Sequence, residues 1–467
     1  MLLTRLGSLA VFARLATPAF ALDNGVGVLP ALGWNSWNTF ATDISEEIII
    51  TAAKEMVNSG LAALGYKYIL VDDGATSHER TPEGAIQANT TKFPSGVKNL
   101  TDSIHSINLK VGMYSDAGEF TCGSYPGSLG HEVSDAQTWA AWGVDYLKYD
   151  NCFNQGQSGN ANISYERYER MSRALNATDR PILYSLCTWG QDNVWDWAST
   201  IANSYRISGD IYPYFDRFDA RCPCDTYDCL LPGYHCSVTN IVDKGAPLGQ
   251  KVRAGSYGDW DMLEVGVGGL MTFAEQVAHF SLWSMAKSPL ILGNDLGNMS
   301  TETLSIISNK VMISINQDSL SSPAHRVFKK EVAAEEDSSL ATWQLQPTTA
   351  GSLQLWSGRL EDGFVVALFN TSPRNLTYDL ELSEALDIFD YGPEAQTLLY
   401  NVYDVWAPAA DPTAPKNASR AEAASRLCGA DAGVVSGSIP AVVVEAHGIR
   451  VFKLTAAMEG VRRGRWR

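Results

Sequence analysis

The chain has 467 residues, with 35 Lys and Arg against 52 Asp and Glu and hence a formal net charge of −17. That balance argues against nucleic acid or an anionic membrane as the main partner, because both need a positive footprint. With 45% hydrophobic and 19% charged residues, it can bury a large core, which excludes a disordered, collagen-like or disulfide-only scaffold.

The first 21 residues, MLLTRLGSLAVFARLATPAFA, read as a secretory signal. Arg5 precedes a short apolar run, and Ala19-Phe20-Ala21 forms a small-x-small cleavage site ahead of Leu22. The expected destination is therefore extracellular. No later segment reaches the ~18 uninterrupted apolar residues of a membrane span. Asn-x-Ser/Thr sequons at Asn89, Asn99, Asn162, Asn176, Asn298, Asn370, Asn375 and Asn417 fit a glycosylated, exported protein.

From 32 to about 294, short apolar runs alternate with amphipathic stretches such as SEEIIITAAKEMVNSG, DAQTWAAWG, YERYERMSRALNA and AEQVAHFSLWSMAKS. The runs predict strands at 31–37, 66–73, 109–116, 144–150, 181–187, 203–210, a less regular segment ending in DWDML (259–263), and 289–295. Eight strands alternating with helices predict a (β/α)8 barrel, an α/β fold, over 22–322. A doubly wound open sheet shares the local pattern, so the strand ends decide. Nearly all finish in a polar group: Trp37, Asp72 and Asp73, Asp116, Asp150, Cys187, Asp210, Asp261, Asp295. Carboxylates converging from so many strands fit the C-terminal mouth of a closed barrel better than the single crevice of an open sheet. Helix capping is the competing use of each aspartate, but it does not call for Tyr114, Lys148 and Arg206 nearby.

Within 203–322 lies CPCDTYDCLLPGYHC, holding Cys222, Cys224, Cys229 and Cys236. Zinc is the rival reading, but the spacing lacks paired C-x2-C knuckles and zinc suits an oxidising compartment poorly. Two nested disulfides are expected, Cys222 with Cys236 and Cys224 with Cys229, although four cysteines allow three connectivities. Past 323 the texture becomes alternating strands, as in GSLQLWSG, GFVVALFN, TYDLELS and VVVEAHGIRVFKL, which predicts a C-terminal antiparallel β-sandwich over 323–457. The stretch 407–426 reads as an exposed loop and 458–467 as a disordered basic tail.

A barrel mouth rich in carboxylates, in an acidic exported chain without a His-rich metal cluster, points to glycoside hydrolysis by a paired acid and nucleophile, with no cofactor and no metal. The motifs LGWNSWNTF, ILVDDG, GMYSDAG, YLKYDNC, YSLCTWG, RISGD, DWDMLEVG, SPLILGNDL and INQD resemble, in order and spacing, those of glycoside hydrolase family 27, the α-galactosidases of the melibiase type. The resemblance spans 22 to 318, and the cysteine-rich insert is similar to that of secreted fungal members.

That resemblance implies Asp150 as nucleophile and Asp210 as general acid/base. Lys148 beside Asp150 would favour its anion, whereas Asp210 must carry a proton to the leaving oxygen. It further implies that Asp72 and Asp73 grip O4 and O6 of galactose. Trp37 would form an aromatic wall, Tyr114 would add a polar contact and Lys148 would reach O3 or O4. Arg206 would contact the 2-hydroxyl region, and Asp261 would bind sugar. Cys122 would pair with Cys152.

The implied activity is that of a retaining exo-acting α-galactosidase on melibiose, raffinose-type oligosaccharides or galactomannan side chains. An α-N-acetylgalactosaminidase on the same scaffold and a non-catalytic galactose-binding protein are the alternatives. The expected partner is an α-galactoside, with neither nucleic acid nor membrane, and self-association is left open. The chain departs from the family where Gly74 and Ala75 replace Cys-Trp, Thr42 replaces the partner cysteine, and Thr188 replaces the more common Glu. Cys187 and Cys428 have no obvious partners and at most pair with each other.

Overall fold

The computed structural model describes residues 22–217, 235–333, 349–389, 397–407 and 429–457. The expected signal, Cys222, Cys224, Cys229, Cys428, most of the 407–426 loop and the basic tail lie outside the described residues.

Eight parallel strands form one sheet: β1 (Leu32–Asn35), β2 (Tyr68–Leu70), β3 (Lys110–Asp116), β4 (Tyr146–Asp150), β5 (Leu183–Leu186), β6 (Ser204–Arg206), β7 (Tyr257–Asp259) and β8 (Leu290–Leu292). Their order is β7-β6-β5-β4-β3-β2-β1-β8. The two edges meet just beyond β7, where Leu263 donates its N–H to Ile291 O at 2.7 Å and accepts from Gly293 N at 3.0 Å. The irregular DWDML segment thus closes the barrel at Leu263. Most strands are shorter than predicted, because their flanks leave the ladder to carry loops.

Side-chain alternation along each strand sorts the residues into two layers. Along β4, Leu147 and Tyr149 face outward; Tyr149 packs edge-on against Tyr168 of the helix Ala161–Asn176, with ring centroids 5.8 Å apart. Tyr146 faces inward and joins Tyr68, Leu70, Leu183, Met262 and Ile291 in the barrel interior. Lys148 and Asp150 continue the inward row toward the C-terminal mouth. Outside, helices such as Glu46–Asn58 and Phe273–Met285 begin at side-chain caps, Ser45 on Ile48 N–H and Thr272 on Glu275 N–H, the latter a capping box.

The remaining strands are antiparallel: β9 (His325–Ala333), β10 (Thr349–Leu360), β11 (Gly363–Asn370), β12 (Leu376–Glu381), β13 (Tyr400–Asp404), β14 (Ala430–Val435), β15 (Ser438–Val444) and β16 (Ile449–Ala456). A six-stranded sheet, β14-β13-β16-β11-β10-β9, and the pair β12-β15 enclose a core that includes Leu355, Val366, Leu368, Leu380, Val402, Val444 and Leu454. Strand β9 escapes the sequence pattern because it is an edge strand with exposed Lys329 and Lys330, a composition that protects edges but hides alternation.

Aromatic packing joins the two domains, with Trp260 against Trp283 at 5.3 Å and against Trp356 of β10 at 6.4 Å between ring centroids. Across the same boundary His447 Nδ1 lies 2.7 Å from Glu275 Oε1, and Asn309 Nδ2 donates to Val405 O at 3.1 Å. The sandwich therefore buttresses the β7 and β8 side of the barrel. Among the described residues no helix is long and apolar enough to cross a membrane.

Candidate active site

The barrel register builds the site. In β3 and β4, Tyr114 stands opposite Lys148 and Asp116 opposite Asp150. Tyr114 donates its hydroxyl to Asp150 Oδ2 at 2.9 Å, and Asn151 N–H reaches Asp150 Oδ1 at the same distance. Burial pushes the Asp150 carboxyl up to about 7; Lys148 pulls against that shift, Asp210 adds to it, and hydrogen bonds from Tyr114 and Cys187 favour the anion.

The predicted residues gather as expected, but several face partners other than those implied. Lys148 Nζ forms its ion pair with Asp72 Oδ2, at 2.8 Å, and stands 5.3 Å over the Tyr114 ring. It acts on Asp150 only through the field. The same Asp72 oxygen accepts from Asn35 Nδ2 at 2.7 Å. Asp73 accepts from Gly74 N at 2.8 Å and Gly123 N at 2.7 Å, and burial raises its carboxyl to about 6. Trp37 is half-buried, opens a short helix after β1 and packs on the interior cluster. Its N–H donates to Asn35 Oδ1 at 2.8 Å.

Opposite, at the ends of β6 and β7, Arg206 is 3% exposed and its Nη2 bridges two carboxylates, Asp261 Oδ2 at 2.7 Å and Asp210 Oδ1 at 3.0 Å. Asp210 is the more open of the two, 34% exposed against 4%. Residues not assigned a role from sequence complete the floor: Asn35, Cys187 and Asp259. Their signal was position alone, since each sits at or beside a strand end.

Cysteine pairing follows the expectations in one case and departs in another. Cys122 and Cys152 form a disulfide that ties the loop after β3 to the loop after β4. Cys236 is disulfide-bonded, and its expected partner lies outside the described residues. Cys187, however, is a buried free thiol and does not pair with Cys428. It is enclosed by the site itself: Arg206 Nη1 donates to its sulfur at 3.4 Å, and burial pushes the thiol well above its usual range, leaving a neutral S–H to donate to Asp150.

The two positions from which the family's disulfide is missing do face each other. A Cβ on Gly74 would lie 3.3 Å from Thr42 Cβ and 3.2 Å from Lys92 Nζ. Lys92 donates to Thr42 O, so its ammonium occupies the space beside Gly74 that a side chain there would need. Gly74 has φ +98°, a conformation that disfavours any side chain there.

A cluster of carboxylates, one of them backed by a phenol and a thiol and another by an arginine, suits nucleophilic and acid chemistry on a polyhydroxylated substrate. Comparison with known proteins gives the family. Residues 29–318 match the family described as α-galactosidase A, and 350–426 match the α-galactosidase C-terminal β-sandwich domain. The α-galactosidase of Lachancea cidri is 46% identical over 420 residues, 89% of this chain and 84% of that protein. That of Schizosaccharomyces pombe is 50% identical, covering 77% and 80%. The solved α-galactosidase of Saccharomyces cerevisiae superposes with a TM-score of 0.85 at 40% identity, covering 94% of this chain and 100% of that one, and a second structure of it contains raffinose. With both domains matched in order, this chain belongs to the glycoside hydrolase family 27 α-galactosidases.

Proposed function

We propose that this α-galactosidase is secreted and releases terminal α-linked D-galactose, from raffinose-type oligosaccharides and galactomannan side chains, by double displacement with retention. The observation that carries the reading is the pair of contrasting carboxylates: Asp150, buried and hydrogen-bonded by Tyr114, and Asp210, open to the mouth and held by Arg206. An Asp150 oxygen attacks C1 of galactose while the C1–O bond to the aglycone breaks and the Asp210 proton passes to the departing oxygen. The galactosyl ester at Asp150 is then cleaved by water, whose proton returns to Asp210. Binding of raffinose by the yeast relative supports the substrate class. Asp72, Asp73, Lys148 and Trp37 are the proposed sugar ligands, with Asp72 and Asp73 reading the axial 4-hydroxyl and O6.

Product stereochemistry tests the mechanism. Proton NMR of nitrophenyl α-galactoside hydrolysis should show α-galactose first, with the β anomer appearing only by mutarotation. Initial release of β-galactose would show a single inverting displacement and overturn the proposal.

A further inference from the structure

Asp261, implied as a sugar ligand, has both carboxylate oxygens committed to protein. Oδ1 accepts from Met262 N at 2.7 Å; Oδ2 accepts from Ile211 N at 2.7 Å and pairs with Arg206 Nη2 at 2.7 Å. Both Oδ2 partners belong to the acid/base. Ile211 directly follows Asp210, and the Arg206 nitrogen is the one that reaches Asp210 Oδ1. The chain at Asp210 is gripped from its other side by Cys236 N–H on Asp210 O.

The backbone at Asp261 is costly and deliberately held. Its φ is +80°, a region that non-glycine residues use uncommonly, Asp and Asn more readily than most. The conformation is braced at both ends: Asp261 N–H donates to Asp259 Oδ1 at 2.9 Å, and Trp283 Nε1 donates to Asp261 O at 2.8 Å. This strained turn aims the carboxylate across the barrel seam at the β6 loop. We infer that Asp261 is a positioning residue, which sets the acid/base Asp210 through the Ile211 amide and the shared Arg206 guanidinium rather than by gripping galactose. The inference rests on the reading of Asp210 as acid/base.

Two variants test it. Asp261→Asn tolerates the left-handed backbone and can still accept from Ile211, but loses the charge that holds Arg206. Asp261→Gly relaxes the backbone and removes the carboxylate, so a failure of one variant to fold leaves the other. Each is assayed on melibiose, a poor leaving group, on dinitrophenyl α-galactoside, a good one, and for inhibition by galactose. A mis-set acid should cost about ten- to hundredfold in kcat/KM on melibiose, less than about threefold on the dinitrophenyl substrate, and little in galactose affinity. In an Asp210→Ala background the Asp261 change should add little on melibiose, since coupled residues are not additive. Equal losses on both substrates together with weaker galactose binding would make Asp261 a sugar ligand and overturn the inference. If Asp210→Ala itself shows no dependence on the leaving group, the reading of Asp210 fails instead, and that result is distinct from the first.

Discussion

Tyr114 offers the sharpest test of how the nucleophile is held. Its hydroxyl is expected from sequence to touch sugar, yet it donates to Asp150 Oδ2 at 2.9 Å inside the barrel. Tyr114→Phe removes that hydrogen bond, keeps the ring beneath Lys148 and leaves Asn151 N–H on the other oxygen. A hydrogen bond to a charged acceptor contributes about 1.5–3 kcal/mol. At about 1.4 kcal/mol per pH unit, its loss should raise the pKa at which Asp150 ionises by roughly one to two units. The sign is upward because the bond favours the charged form.

In an assay of kcat/KM for nitrophenyl α-galactoside from about pH 3 to about pH 8, the acidic limb should therefore move to higher pH by that amount. With Asp150 at about 7 in the unaltered protein, a rise of roughly one to two units leaves the variant substantially protonated even at about pH 8. The loss should persist at the top of the range and close only above it. The Asp210 charge also bears on Asp150 in both proteins, so it is the displacement between them that matters. An acidic limb that stays in place while KM rises would refute the argument and return Tyr114 to the sugar.

Asp150→Asn keeps shape but removes the attacking charge, so turnover should fall by several orders of magnitude while melting temperature and galactose binding persist. Substantial turnover by the folded variant would move the nucleophile elsewhere. Asp210→Ala should cripple hydrolysis of melibiose far more than that of dinitrophenyl α-galactoside, and azide should restore turnover of the latter by trapping α-galactosyl azide. Equal loss on both substrates would exclude an acid role. Stability should also rise as pH falls from about 7.5 to about 5.5. Asp73 and Asp259 are raised to about 6 and Asp150 to about 7, with Asp116 and Glu264 also well above the usual range, all chiefly by burial. Groups raised in the folded state contribute stability at low pH that is lost as pH rises through their folded pKa. His279, lowered to about 3 by burial, and His325, also lowered by burial, oppose this but are outnumbered by the five carboxyls; a melting temperature that declines steadily toward about pH 5.5 would contradict the balance.

Much of the site is legible in one dimension because barrel strands end where chemistry begins. The motif YLKYD carries alternation, strand end and carboxylate together, so Lys148 and Asp150 fall on the inward face by period two alone. The contrast between β/α alternation and later strand-only texture likewise separates barrel from sandwich. The less regular DWDML segment was also visible as irregular, though not as the seam.

Partner choice needed the fold. Lys148 could favour Asp150, two residues away, or Asp72, 76 residues away; the barrel's stagger brings the distant one to 2.8 Å. Cys187 has no partner in sequence because its neighbours, Asp150 and Arg206, come from the adjoining strands. Gly74 and Thr42 look like unrelated departures until the loops place them side by side, with Lys92 between them in space. Asp261 carries no mark of its left-handed backbone, since that strain is imposed by Asp259 and Trp283 from outside. Residue order thus determined which groups reach the barrel mouth, a local property of strand period and length. Only closure of the barrel decided which of them share hydrogen bonds and charge, because those contacts join strands whose separation in the chain bears no relation to their separation in space.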